Sequence, residues 1–147
     1  MTVVLTLNIY KMVHKFHKEL QDRGAWVYAD VIFIGGSLIA HHINDNNNFV
    51  LDIITTPVNA RNQGHATEVM NTLIDVSNKT NTPIELIVGT VRKSGFQLRG
   101  TNIVGEHATQ TKNKLPTNKL KRWYSKFGFE VNGKHGSRTK MIYNPKV

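Results

Sequence analysis

Arg61-Asn62-Gln63-Gly64-His65-Ala66 decides the reading of this chain. The six residues follow the apolar run Phe49-Val50-Leu51-Asp52-Ile53-Ile54-Thr55-Thr56, which Pro57 ends. They open a segment in which Ala66, Val69, Met70, Leu73 and Ile74 recur at helical spacing. The order predicts a strand, a glycine-containing loop, and a helix of roughly four turns that closes near Asn78-Lys79. A helix that starts on such a loop leaves its first N–H groups without carbonyl partners, at the positive end of the helix dipole. Phosphate binds well there. Gly64 lets a ligand approach the backbone closely, and the small Ala66 keeps the first turn uncrowded.

Upstream of this loop the chain alternates between strand-like runs and tight turns. Val3-Val4-Leu5-Thr6-Leu7 reads as a short strand. Residues 9–22 read as an amphipathic helix with Ile9, Val13, Phe16 and Leu20 on one side, stopped by Gly24. Residues 26–34 are rich in β-branched and aromatic side chains and read as one strand. Gly35-Gly36 turns it back into residues 37–43, and Asp45-Asn46-Asn47-Asn48 turns again into residues 49–56. Downstream, Thr82-Pro83 breaks the chain before the strand Ile84-Glu85-Leu86-Ile87-Val88, which predicts a right-handed parallel crossover. Residues 89–117 have little periodicity and read as a functional loop or a concealed hairpin. Pro116-Thr117-Asn118 starts a helix striped by Leu120, Trp123, Tyr124 and Phe127 and stopped by Gly128. Phe129-Glu130-Val131 and Lys140-Met141-Ile142-Tyr143 are the last strands, joined by a loop holding Gly133 and Gly136.

Composition narrows the function class. The 147 residues suit one domain, 1–147, with one core. No apolar run is long enough to span a bilayer, and no signal-peptide pattern opens the chain, so no membrane partner is expected. Cysteine is absent, which excludes disulfides, thiolate metal sites and a cysteine nucleophile, and fits a cytoplasmic location. Net charge is +9, unevenly spread. Before Gly89 there are six Lys/Arg against eight acids; from Gly89 onward there are thirteen against Glu106 and Glu130. A field that one-sided attracts acidic partners, nucleic acid among them. His14 and His17, and the adjacent His41 and His42, do not make a metal site: strand neighbours point to opposite faces, and no carboxylate cluster adjoins them.

The segment Asn118-Lys119-Leu120-Lys121-Arg122-Trp123-Tyr124-Ser125-Lys126-Phe127-Gly128-Phe129 is the second informative stretch. Together with Arg61-x-x-Gly64-x-Ala66 it resembles the paired signatures of the GNAT superfamily, the acyl-CoA-dependent N-acyltransferases, over residues 25–145. The motifs stand in family order with a predicted strand between them. The resemblance is poorer at the front, where the family has two helices and one is read here. Pro57 to Arg61 is also one residue longer than the commonest family spacing.

That resemblance implies an α/β (α+β) fold: a mixed, mostly antiparallel central sheet, splayed in the middle and flanked by about three helices. It implies acetyl-CoA, or another acyl-CoA, lying between strands 49–56 and 84–88. Ile54 and Thr55 would border its pantetheine arm. The amides of Arg61, Asn62, Gln63, Gly64, His65 and Ala66, followed by Thr67, would hold its pyrophosphate. A backbone N–H near Ile54 would polarise the thioester carbonyl. Tyr124, four residues before Gly128, matches the family's general acid, although its place on the apolar stripe also suits a core residue. Asn118 matches a pantetheine contact and also reads as a helix N-cap. For the base, Asp52 shares a face with Val50 and Ile54 under regular alternation, which would raise its pKa; Glu85 and an ordered water are the alternatives.

The expected activity is direct acyl transfer, acetyl first among the acyl groups, to a primary amine. The alternatives are an acceptor linked to nucleic acid, with Arg92, Lys93, Arg99, Lys112 and Lys114 near it, and a non-catalytic basic binding module on the same scaffold. Monomer and homodimer are both compatible with the sequence.

Overall fold

The computed structural model describes residues 14–55, 64–88 and 117–146. Strand 3–7, residues 9–13, Arg61, Asn62, Gln63 and the segment 89–116 with its five cations lie outside the described residues.

Among the described residues seven strands form one sheet: β1 (Trp26–Tyr28), β2 (Val31–Ile34), β3 (Ser37–Ile43), β4 (Phe49–Thr55), β5 (Ile84–Ile87), β6 (Glu130–His135) and β7 (Arg138–Tyr143), in the order β1-β2-β3-β4-β5-β7-β6. Three helices accompany them among the described residues: α1 (Lys15–Asp22), α2 (His65–Thr80) and α3 (Thr117–Lys126). Strands β1 to β4 are successively antiparallel, β4 and β5 are parallel across α2, and β5, β7 and β6 are again antiparallel. This is the mixed, mostly antiparallel sheet that the motif order implies.

Local chemistry explains where the elements begin and end. The helix that carries Phe16 and Leu20 begins at Lys15, where His14 is extended (φ −67°, ψ 137°) and caps it. The His14 Nδ1 accepts the Phe16 N–H at 3.0 Å. Residues 26–34 are a hairpin rather than one strand: Ala29 takes φ +52°, and Tyr28 returns opposite Val31. The apolar pattern is the same for a strand and for a hairpin folded on two residues. The turn carries neither Gly nor Asn, and Asp30 is its lone turn-type residue, a weak signal inside an apolar run. Gly133 lies within β6 at φ +95°, where the pairing with β7 slips, rather than in the connecting loop. The helix α2 spans sixteen residues and ends where Asn81 takes the left-handed conformation.

One apolar cluster joins all three helices to one face of the sheet. It holds Phe16 and Leu20 of α1, Val69, Met70, Leu73 and Val76 of α2, and Phe49, Leu51, Ile84, Leu86 and Met141 of the central strands, with Leu120, Trp123, Tyr124 and Phe127 of α3 packed on it. Phe16 stacks on Phe49 at 4.1 Å. Burial of each such side chain contributes about 1.5–3 kcal/mol. A separate small cluster, Val31 and Leu38 with Phe33, occupies the other face.

Candidate active site

The sheet opens where β4 meets β5. Their pairing covers only Phe49–Ile84, Val50–Glu85 and Leu51–Leu86. Beyond Leu51, β4 continues to Thr55 opposite β3 alone, with Ile54 facing Ile39 and Thr55 facing Leu38. Beyond Leu86, β5 follows β7: Ile87 stands opposite Lys140, and the Val88 N–H donates to the Thr139 carbonyl at 2.8 Å. Each strand keeps its outer partner while the inner pairing ends. The result is a fork whose inner backbone edges carry no partner strand among the described residues.

A bulge sits at the apex of the fork. Ala40 stands opposite Ile53 and His41 opposite Leu51, so Asp52 is one residue too many for β3. This overturns the regular alternation expected for β4. Ile54 packs into the core cluster, whereas Asp52 turns to His42, on the face of Val50. The apolar surroundings expected for Asp52 are replaced by an exposed pair: His42 Nδ1 lies 2.8 Å from Asp52 Oδ2, with the side chains 54% and 40% exposed. Glu85 is committed elsewhere. Its Oε2 accepts the side-chain amides of Asn44 at 2.6 Å and Asn48 at 2.8 Å. Asn44 Oδ1 in turn accepts the N–H groups of Asn46 and Asn48, so Glu85 clamps the β3–β4 turn to β5.

The helix α2 begins on Gly64 at φ +79°, ψ 8°, and no side chain caps it. An L side chain rarely adopts that conformation, which is why the loop needs glycine here. His65, the first helical residue, packs its ring on the β2–β3 turn. A Cβ at Gly36 would meet the ring's Nδ1 at 3.1 Å. The turn thereby buttresses the start of α2. Ala66 is half-buried and Thr67 exposed in the first turn. Of the residues expected to hold a cofactor, Ile54, Gly64, His65, Ala66, Thr67 and Asn118 are described; Thr55 is described as strand backbone.

In α3, Tyr124 is wedged between Trp123 at 5.2 Å and Phe129 at 5.9 Å, ring centre to ring centre. Its carbonyl accepts the N–H groups of Phe127 and Phe129, which fixes the chain reversal after the helix. Burial pushes the phenol up to about 12. Gly128, at φ +98°, lets this turn close on Tyr143, whose ring a Cβ would meet at 3.1 Å. Asn118 is exposed and is the second residue of the helix rather than its cap.

Among the described residues no group of three His, Asp or Glu side chains could hold an ion. His17 and His41 nevertheless meet, Nε2 to Nε2 at 2.8 Å. His41 stacks on Phe49, and burial, with His17 beside it, lowers its pKa to about 4. Sequence reasoning missed this contact and the His42–Asp52 pair, because both depend on which residues α1 and the bulge bring opposite each other. Among the described residues no helix is long and apolar enough to cross a membrane.

Comparison with known proteins agrees with this architecture. No protein-family model matches the sequence, nor does any curated protein. Among solved structures, a GNAT-family acetyltransferase from Listeria monocytogenes matches with a TM-score of 0.51 at 10% identity, over 94% of this chain and 88% of that one. A Pyrococcus horikoshii protein, PH1933, matches at 0.48 and 17% identity over 80% of this chain; this chain spans 64% of that one's length. An aminoglycoside 6′-N-acetyltransferase solved with coenzyme A matches at 0.48 and 15% identity, over 84% and 73% of the two chains. The chain has the fold of the GNAT superfamily.

Proposed function

We propose that the protein is an acyl-CoA-dependent N-acyltransferase that moves an acyl group, in the first instance acetyl, directly to a primary amine. The observation that carries this reading is the fork: β4 and β5 stop pairing after Leu51 and Leu86 although both strands continue. An extended amide-bearing chain such as pantetheine satisfies the inner edge that β4 presents from Asp52 onward. Its pyrophosphate then meets the start of α2, where Gly64 admits close approach and Ala66 and Thr67 crowd it little. Asn118 lies at the start of α3, within the segment that completes the paired motif.

In the reaction, the N–H near Ile54 stabilises the oxyanion that forms when the amine nitrogen attacks the thioester carbon. The C–S bond breaks and the sulfur takes a proton from the Tyr124 hydroxyl. At about 12, that phenol stays protonated throughout the physiological range, so it enters as a donor. The burial that weakens it as an acid also raises the proton affinity of a thiolate released beside it, which keeps donor and acceptor matched. The proton then returns to the phenolate through solvent from the acylated nitrogen.

A second reading concerns the acceptor. Residues 117–146 carry eight Lys/Arg and a single acid, Glu130. That supports an acidic acceptor, nucleic-acid-linked amines included.

The test is calorimetric titration with acetyl-CoA against wild type and Gly64→Glu. The variant strains a φ of +79° and sets a carboxylate at the phosphate position, so affinity should fall at least about tenfold. A wild-type protein that binds no acyl-CoA ends the proposal.

A further inference from the structure

We infer that His42, oriented by Asp52, is the acceptor of the proton that the incoming amine must lose. The inference rests on the acyltransferase reading above and adds to it a residue that the two motifs do not contain. Asp52 is the bulged residue at the apex of the fork, next to the last β4–β5 pair and two residues before Ile54. Two strand residues span about 6–7 Å, which sets Asp52 that far along β4 from Ile54, and His42 stands opposite Val50 on the Asp52 side of that interval. A carboxylate only accepts hydrogen bonds; with Oδ2 at 2.8 Å, the proton of neutral His42 therefore sits on Nδ1. The lone pair is then on Nε2, at the open end of a half-exposed ring. That is the arrangement a base needs.

Among the described residues, the other titratable groups around His42 are already engaged or remote. Glu85 shares its row through Val50 but is held by Asn44 and Asn48. Asp30, in the β1–β2 turn, lies on the opposite flank of β3, where its carbonyl accepts the His41 N–H. His41 itself points the other way, into the core. Asp52 is thus the one carboxylate among the described residues in contact with the imidazole.

The proton balance is complete without a further reagent. An ammonium gives one proton to His42 Nε2, and the neutral amine attacks the carbonyl carbon. The C–N bond forms and the C–S bond breaks. The nitrogen's second proton replaces, through solvent, the one Tyr124 gives to sulfur, and imidazolium returns its proton to water. The sum is amide, thiol and one released proton. In this scheme His42 acts on the substrate and Asp52 is a positioning residue.

Imidazole nitrogen NMR separates these roles. In wild type His42 should be the Nδ1–H tautomer; Asp52→Ala should shift it toward Nε2–H, and Asp52→Asn, which keeps an acceptor oxygen, should restore it. Saturation with coenzyme A should move the His42 signals. Acetyl transfer to ethylamine, small enough to enter any cleft a larger acceptor uses, should fall about 10²–10⁴-fold in His42→Gln with the KM for acetyl-CoA unchanged. Thermal unfolding of each variant controls for folding. An Nε2–H tautomer in wild type, His42 signals indifferent to bound coenzyme A, or full transfer by His42→Gln would each overturn the assignment while leaving the acyltransferase intact. Failure of wild type to bind coenzyme A, or to transfer to ethylamine at all, overturns both.

Discussion

The two ends of the fold use charge in opposite ways. In residues 14–88 three acids pair with basic side chains: Glu19 of α1 binds Lys79 of α2 at 2.9 Å and Arg23 at 3.2 Å, Arg23 reaches Asp75 at 3.9 Å, and Asp52 holds His42. In residues 117–146 none of the eight Lys/Arg makes an ion pair among the described residues, and Glu130 is the lone acid. The first region spends its charges on holding α1 to α2 and shaping the fork. The second leaves its cations to solvent and to whatever acidic group approaches. So ion pairs tie α1 to α2 in one region, and the other presents a surplus of positive charge.

The largest expected effect lies on the second side. Tyr124→Phe removes one hydroxyl from a residue packed against Trp123 and Phe129 and leaves that packing in place. Steady-state acyl transfer should fall about 10²–10⁴-fold while coenzyme A affinity and the unfolding midpoint hold. Equal loss of binding and turnover would make Tyr124 a core residue only and reduce the region to its charge.

Next in size is a test of the first side by pH. His41 is buried neutral, and its pKa in the fold is about 4 against an ordinary 6.5. Between those values the unfolded chain binds a proton that the folded chain refuses. The stability is therefore complete above about 6.5 and is lost as pH falls toward 4, by up to about 3 kcal/mol. Burial lowers His17 as well, with the neighbouring His14 second, which adds in the same direction. Denaturant unfolding across pH 4–7 should show this slope, and His41→Leu should flatten it. An unchanged slope would mean that the His17–His41 contact does not carry the pH dependence.

A smaller effect probes the free cations. Lys119, Arg122 and Lys126 recur at spacings of three and four along α3 and are exposed. Reversing all three to Glu should weaken binding to heparin or a single-stranded oligonucleotide. The slope of log affinity against log salt should fall by about two if these residues meet phosphates. A slope that does not change places the acidic partner elsewhere.

These contrasts also mark what the sequence could disclose. The motif pair Arg61-x-x-Gly64-x-Ala66 and Tyr124-x-x-x-Gly128-Phe129 was legible because each needs a particular backbone. Gly64 and Gly128 take φ of +79° and +98°, and the helices around them bury stripes at regular spacing. The antiparallel run of β2, β3 and β4 followed from tight turns and the parallel β5 from one crossover, whereas β7 beside β5 and β6 at the edge did not. What escaped depends on register. One extra residue at position 52 moves Ile54 to the core and Asp52 to His42, and no local pattern signals a bulge. The Ala29 turn escaped for a related reason, a left-handed residue of a type that rarely marks one. Sequence named the strand and the carboxylate; the pairing chose the carboxylate's partner.

The smallest effect gives the contrast its sign. Lys79, and behind it Arg23, hold the Glu19 carboxyl below its ordinary 4.5, with desolvation opposing them. Its contribution is present above that value and is lost as pH falls below it, a window that opens at the acid end of the His41 transition. Lys79 is 64% exposed, so the pair is weak and salt screens it. Salt also screens repulsion among the unpaired cations of 117–146, and there it stabilises. The two regions therefore respond to salt in opposite directions. Lys79→Met should remove part of the destabilising response and leave the protein more strongly stabilised by added salt than wild type. Should the variant and wild type respond to salt alike, the α1–α2 ion pairs hold nothing, and that part of the front region's organisation would be apolar alone.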